Sequence, residues 1–164
     1  MAMKEMLLPE FDQEMAATRL LLERVPAASA AWRPHPKSMT LGNLAVHVAN
    51  LAAWPVMTLA AGELDLAVAP TPAPFTTVAA LLAVFDANVA ASRAALAGAA
   101  DADFAEPWSL RMGPQVILTL PRSVVVRSFA FNHLIHHRAQ LGVYLRLRDV
   151  PLPPCYGPTA DAQP

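Results

Sequence analysis

Apolar residues recur at three- and four-residue steps along four stretches of the chain, which is the spacing of one face of an α-helix. The predicted helices cover residues 4–25, 41–61, 77–97 and 121–148. In the first of them the remaining positions are occupied by charged residues that are expected to face solvent, namely Glu10, Asp12, Glu14, Arg19, Glu23 and Arg24. The pattern therefore predicts an all-α fold.

Capping residues and prolines place the ends of these helices. The hydroxyls of Thr40, and of Thr76 or Thr77, are expected to accept a backbone N–H of the turn after each of them. Pro55 is expected to kink the second helix, because proline lacks the N–H that the helix ladder requires. Pro121 suits the first turn of the fourth helix, where that N–H has no intrahelical partner.

The connections between the helices are long. Residues 26–40, 63–75 and 99–120 join them, and the proline-rich stretches 63–75 and 150–164 are expected to be irregular. Within the third connection, two apolar runs flank Met112, Gly113 and Pro114, which predicts a small hairpin. Simple up-down bundles use short loops. The sequence thus predicts one domain over residues 1–164, a four-helix bundle with crossover connections.

Composition excludes several classes of protein. The 164 residues are 55% hydrophobic and 15% charged, which is typical of a folded domain rather than a disordered chain. Twelve Lys+Arg against thirteen Asp+Glu leave no basic surplus for nucleic acid. Cys155, the one cysteine, has no partner for a disulfide and no basic neighbour that would activate its thiol. The N-terminus does not resemble a signal peptide, so a cytoplasmic protein is expected.

Residues 39–62 carry no charge and are numerous enough to cross a bilayer. A membrane span is nevertheless rejected, because Asn43, His47 and Asn50 would be costly in lipid and Pro55 interrupts the stretch. No cluster of positive charges flanks it either. A helix buried within a bundle accounts for the same pattern.

The candidate chemistry lies in the histidines. His133 and His137 are one helical turn apart and share a face, whereas His136 points elsewhere and cannot join both. His47, midway along the uncharged second helix, is the natural third ligand for a metal ion. Asn43 and Asn50 continue a polar line through His47 that Trp54 extends. A polar line inside a bundle is costly unless something satisfies it.

Two other interpretations of the histidines stay open. Pairs at this spacing arise by chance, so the protein could be a metal-free helical interaction module with histidines in its core or on its surface. It could also be a bundle that binds a metal or another ligand without catalysis. A serine hydrolase is disfavoured, because Ser123 and Ser128 lack the glycine-flanked turn that exposes such a nucleophile.

The order of segments resembles the DinB family. The resemblance covers nearly the whole chain and is carried by LGNLAVHVANLAAW, FNHLIHHRAQLGVYLRL, the lead-in WRPHPKSMTLG and the tail VPLPPCYGPTAD. It implies a four-helix bundle with crossover connections and a divalent metal at His47, His133 and His137. Arg138 and Gln140 match motif positions that imply a structural role or contact with a ligand. Ala139 stands where glycine is frequent.

The resemblance also sets the functional expectation. Some similar proteins are S-transferases or isomerases that use bacillithiol, mycothiol or glutathione, so a small-molecule substrate or thiol cofactor is expected. Zinc or nickel is the preferred ion and iron the next, because imidazoles suit all three. The residues expected to support the ligands, through hydrogen bonds or other contacts, are Asn43, Asn50, Asn132 and His136. A homodimer is expected, since small apolar bundles often bury a face against a second copy.

Overall fold

The computed structural model describes residues 2–161 of the chain as a mostly helical protein with a small sheet. The helices are α1 (Met3–Leu22), α2 (Leu41–Leu51), α3 (Trp54–Ala60), α4 (Val78–Gly98), α5 (Asp101–Ala105), α6 (Arg122–Val125) and α7 (His133–Arg146). The strands are β1 (Glu63–Asp65), β2 (Pro107–Met112) and β3 (Gln115–Pro121). A 3₁₀ turn spans Ala27–Ser29, and a π-helix spans Val126–Asn132 between α6 and α7.

The predicted helix starts are confirmed at two threonines. Thr40 accepts a hydrogen bond from the backbone N–H of Asn43 at 3.2 Å, and Thr77 accepts one from Ala80 at 3.1 Å. Each hydroxyl satisfies a donor that has no partner inside its helix. Thr40 thereby fixes the start of α2 at Leu41, six residues before His47.

The second predicted helix is divided rather than kinked. α2 ends at Leu51, a turn comes next, and α3 begins at Trp54 with Pro55 in its first turn. Proline is tolerated there because the first helical N–H groups need no intrahelical acceptor. The uncharged stretch 39–62 therefore forms two short helices, neither of them long enough to cross a bilayer.

The fourth predicted helix is one continuous rod with a change of winding. α6 passes into the π-helix Val126–Asn132, which passes into α7. A π-helix bonds each N–H to the carbonyl five residues back, whereas an α-helix bonds it to the carbonyl four residues back. The side chains that follow a π-helix therefore point in other directions than they would after an α-helix of the same length. The π-helix thus sets the direction in which His133, the first residue of α7, faces the bundle.

A three-stranded sheet adds to the helical fold, so the all-α prediction was incomplete. The hairpin is confirmed: β2 and β3 pair antiparallel, with Trp108 opposite Leu120, and Gly113 turns the chain at a φ of +57°. The prediction that residues 63–75 are irregular was wrong at β1, which pairs parallel with β2. The tail is irregular from Val150 as far as Asp161, and residues 162–164 lie outside the described part.

The helices pack around one large apolar core. α1 and α2 both pack against α4 and α7, and the buried side chains include Phe11, Leu44, Phe85, Phe131 and Leu134. A second cluster of Trp108, Leu110 and Val125 joins the sheet to the helices. Within the described residues, α4 is the one helix long and apolar enough to cross a membrane, a test that core helices of soluble proteins also pass.

Candidate metal centre

Three histidine side chains from two separate helices meet at one place. His47 comes from the middle of α2, and His133 and His137 come from the first turns of α7. Because α2 packs against α7, the two helix faces bring residues 86 positions apart into contact. The sequence prediction that these three rings converge agrees with the structure.

The ring nitrogens stand at distances that suit a shared ion. One ring nitrogen from each histidine lies within 4.8 Å of the others, and the Nε2 atoms of His47 and His133 are 3.4 Å apart. Two nitrogens bound at about 2.0–2.1 Å to one tetrahedral ion are separated by roughly 3.3–3.4 Å. The His47 and His133 pair therefore already has the spacing of two ligands of one metal.

Gln140 determines which nitrogen of His137 faces this cluster. The Nδ1–H of His137 donates to the Oε1 of Gln140 at 2.8 Å, one turn further along α7. The amide nitrogen of Gln140 donates in turn to the Nε2 of His136 at 3.0 Å. With its proton held on Nδ1, His137 keeps an unprotonated Nε2, which is the form that binds a metal. His136 is exposed and contacts the cluster through this relay.

His133 lacks a comparable support. Its Nδ1 is buried and has no hydrogen-bond partner among the described residues. When Nε2 of this ring binds a metal, Nδ1 carries the proton and needs an acceptor. Neither Asn43 nor Asn132 supplies one: both are exposed, and no side-chain hydrogen bond from either is found in the described part of the chain.

The environment keeps all three imidazoles neutral. Burial, followed by the neighbouring His137 and His133, lowers the pKa of His47 from 6.5 to about 4. Burial also lowers the pKa of His133 and that of His137, against a smaller rise at His137 from its bond to Gln140. Neutral rings offer lone pairs, so protons compete weakly for this site at neutral pH.

We expect the metal-free protein to lose stability as the pH falls from 6.5 towards 4. In that interval the unfolded chain binds a proton at His47 that the folded protein excludes. The free energy of unfolding therefore rises with pH, and this rise is complete above pH 6.5. Urea unfolding in the presence of a chelator measures this slope. His47→Gln removes one titrating ring and should make the slope shallower, while His133 and His137 keep contributing to it; an unchanged slope would contradict the lowered pKa of His47.

Two other predicted pocket residues lie apart from the three rings. The amide of Asn50 turns back to donate to the Val46 carbonyl at 2.8 Å, within its own helix. Trp54 stacks on Phe129, with ring centroids 5.2 Å apart, and packs near Trp108 beside the sheet. The polar line expected along α2 therefore breaks up, because the helix ends at Leu51 and Trp54 belongs to α3 instead.

Arg138 serves a buried ion pair away from the imidazoles. Its guanidinium is 2.7 Å from the Glu14 carboxylate, and both side chains are almost fully buried. It also donates to the Glu14 carbonyl, to Thr18 and to the Tyr156 hydroxyl. The expectation that Glu14 faces solvent was wrong. Glu14 lies three residues after Phe11 and four before Thr18, on the buried face of α1. An acidic residue at such a position is the sequence signal that could have indicated a buried ion pair.

An open cleft lies beside His137. It has a volume of about 460 Å³ and is lined by Lys37, Ser38, Met39, His137, Gln140, Val143 and Tyr144. The segment 37–39 belongs to the loop before α2, which the histidine pattern alone did not implicate. Two cues in the sequence point to it: the segment lies within the lead-in WRPHPKSMTLG that resembles the DinB family, and Lys37 is the last charge before the uncharged stretch that contains His47. Of the three clustered histidines, His137 is the one that lines the cleft.

Comparison with known proteins places this architecture in a family. The profile of the DinB superfamily matches residues 10–141, which include all three histidines. The chain belongs to the DinB superfamily. No curated protein matches the chain.

Solved DinB-like structures share the fold. A DinB-like protein from Bacillus cereus superposes with a TM-score of 0.70 at 23% identity, over 94% of this chain and 98% of that one. A DinB-like protein from Bacillus subtilis gives a TM-score of 0.68 at 15% identity, over 88% of this chain and 92% of the other. At these identities the similarity establishes the fold alone.

Proposed function

We propose that this DinB-superfamily protein is a metal-dependent enzyme that binds one divalent transition-metal ion through His47, His133 and His137. The observation that carries the proposal is the convergence of three neutral imidazoles, two of them 3.4 Å apart at Nε2. Three protein ligands and an accessible face are typical of catalytic rather than structural zinc sites. Zinc and nickel suit the all-imidazole donor set best, and iron is the next candidate.

The donor set fits such an ion in a second respect. No carboxylate is among the histidine cluster found in the described residues, and no Asp or Glu occurs between residues 107 and 148. The site is therefore too soft for magnesium or calcium, which take oxygen ligands. It also has no acidic partner that would hold a proton on one of the rings.

The chain's own residues would position and expose the reacting groups. The histidines would hold the ion, Gln140 would hold the proton of His137 on Nδ1, and the cleft beside His137 would admit the substrate. When bound, a divalent cation supplies a Lewis acid that polarises a carbonyl, lowers the pKa of water or holds a thiolate. The cleft contains no carboxylate to act as a general base. Thiol S-transfer and hydrolysis are the reaction classes that fit this arrangement.

Elemental analysis tests the proposal directly. Protein produced and purified without a nickel column or a chelator should contain about one divalent transition-metal ion per chain. After chelator treatment, adding Zn²⁺ or Ni²⁺ should raise the melting temperature, because a ligand that binds only the folded state stabilises it. Absence of both metal and thermal shift would leave a metal-free helical module as the interpretation.

Catalysis is tested separately from binding. The metal-loaded and metal-free proteins should be compared on electrophilic substrates with glutathione or another low-molecular-weight thiol, and on simple esters without a thiol. Turnover that requires both metal and thiol would support an S-transferase, and turnover that requires metal alone would support a hydrolase. Metal binding without turnover in either assay would favour a non-catalytic metal-binding protein.

Gln140→Leu is expected to weaken metal binding about 10- to 100-fold, the usual effect of removing a hydrogen-bond partner of a ligating histidine. Leucine cannot accept the Nδ1–H of His137, so the proton is free to move to the nitrogen that faces the cluster. Gln140→Glu is the matched control, because its carboxylate keeps the acceptor. Competition with a chromophoric chelator measures both affinities. Equal affinities for the two variants would show that Gln140 does not position His137.

A further inference from the structure

The cleft beside His137 is bounded by two ordered walls. One wall is α7, which presents His137, Gln140 and Tyr144. The other is the segment from Lys37 to Met39. The volume of about 460 Å³ lies within the range of roughly 300–1,000 Å³ that small-molecule sites occupy.

The loop wall is fixed to α7 by contacts of Trp32, which does not itself line the cleft. Trp32 packs edge-to-face on Tyr144 with ring centroids 5.7 Å apart. The guanidinium carbon of Arg148 lies over the Trp32 ring, 5.4 Å from its centroid. The carbonyl of Trp32 accepts the N–H of Leu41 at 2.8 Å, which joins the loop to the start of α2. The segment 33–40 is therefore fixed at its two ends, to α7 through Trp32 and to the start of α2 through Leu41.

Within that loop, Lys37 and Ser38 lie in a hydrogen-bonded turn. The backbone N–H of Ser38 donates to the His35 carbonyl at 2.9 Å, and that of Lys37 donates to the His35 Nδ1 at 3.2 Å. The Lys37 ammonium itself has no hydrogen bond or ion pair among the described residues. The turn fixes the backbone of Lys37, and its exposed side chain lines the cleft.

The cleft carries positive charge alone. Lys37 is the one charged side chain among its lining residues, which belong to segments without acids: none occurs from residue 24 to 62 or from 107 to 148. A divalent ion held by three neutral histidines would add two further positive charges. An anionic ligand would be attracted by both, because no carboxylate lines the cleft to offset them.

We propose that this cleft selects small molecules that carry a carboxylate, with Lys37 binding the carboxylate while another group of the same molecule reaches the histidine site. The inference rests on the proposed metal site. It adds a specificity residue from outside the histidine segments and a substrate class, a small organic acid. Ser38 stands beside Lys37 and offers a hydroxyl donor to the same group.

A pair of matched thiols tests this selectivity. The full-length protein is loaded with Co²⁺, whose thiolate charge-transfer absorption reports a thiol bound to the ion, and is titrated with 3-mercaptopropionate and with its methyl ester. The two probes share the thiol and differ in the carboxylate charge. The wild-type protein should bind the acid about 1.5- to fivefold more tightly than the ester, the effect expected of one solvent-exposed ion pair.

Substitutions locate the source of any preference. Lys37→Met should reduce the ratio of the two affinities to about one, and Lys37→Arg should retain most of it. Arg33→Met is the matched control: it removes a cation four residues away, whose guanidinium turns back to the Pro36 carbonyl and does not line the cleft. The ratio should persist in that variant.

The outcomes separate this inference from the metal proposal. Cobalt uptake with a thiolate band but an unchanged ratio in Lys37→Met would overturn the role of Lys37 and leave the metal site standing. Cobalt uptake without any thiolate band would likewise overturn the cleft proposal alone. Failure to take up cobalt would overturn both.

Discussion

The free energy of unfolding is expected to fall by about 3–5 kcal/mol when Arg138 is replaced by Met, the usual cost of leaving a buried charge without its partner. Arg138 is 3% exposed, and Glu14, whose carboxylate lies beside it, is 4% exposed. The substitution preserves the length and apolar packing of the side chain but removes every hydrogen bond that Glu14 and Thr18 accept from the guanidinium. Urea unfolding followed by far-ultraviolet circular dichroism measures the change.

The pair connects three parts of the chain, which is why a large effect is expected. Glu14 lies on α1, Arg138 on α7 and Tyr156 in the C-terminal tail, and the Tyr156 hydroxyl is 2.8 Å from both carboxylate oxygens. Burial, and then the hydrogen bond to Glu14, raise the pKa of Tyr156, so the phenol stays protonated and can donate. Losing the guanidinium would weaken the attachment of the tail as well as the packing of α1 on α7.

An exposed ion pair that also involves α1 provides the control. Arg93 on α4 contacts Asp12 on α1 at 2.8 Å, with both side chains about half exposed. Arg93→Met should cost far less stability than Arg138→Met, because water solvates the charge left behind. The double variant Glu14→Gln, Arg138→Met should recover part of the loss, since a neutral amide replaces the unpaired carboxylate. An effect of Arg138→Met as small as that of Arg93→Met would contradict the assignment.

Local sequence signals predicted the features of this fold that depend on neighbouring residues. The caps Thr40 and Thr77, the turn at Gly113 and the helical stripes all arise from short-range preferences, and the described structure agrees with each. The convergence of His47 with His133 and His137 was predictable for a related reason. A polar residue midway along an uncharged helix has to meet something polar, and the i, i+4 histidine pair offered it.

Features that depend on distant contacts were not predictable in this way. β1 has three residues and no alternating pattern, and it exists because its backbone pairs with β2 more than forty positions away. The π-helix has seven residues, which is too short a stretch for the spacing of its apolar positions to distinguish its winding from that of an α-helix. Glu14 was assigned to solvent because acids usually are exposed, whereas Arg138, 124 positions later, permits its burial.

The second large effect is expected at the histidines. His47→Ala should lower the affinity for Zn²⁺ by more than about a hundredfold, beyond the 10- to 100-fold of an outer hydrogen-bond partner. The variant leaves both histidines of α7 intact, so a two-ligand site remains that is too weak for an ion with three or four preferred protein ligands. His133→Ala and His137→Ala should have effects of similar size. Metal-to-protein ratio and chelator competition measure all three.

His136→Ala is the control that makes this test specific to geometry. His136 is exposed and lies between two of the proposed ligands in sequence. It contacts the cluster through Gln140 and the His137 ring but does not belong to the three-histidine group, so its removal should change the Zn²⁺ affinity far less. If affinity depended on the number of histidines along α7, His136→Ala would match His137→Ala and His47→Ala would have little effect. A strong loss at His47 on α2 with a weak one at His136 is the result that only a site shared by the two helices explains.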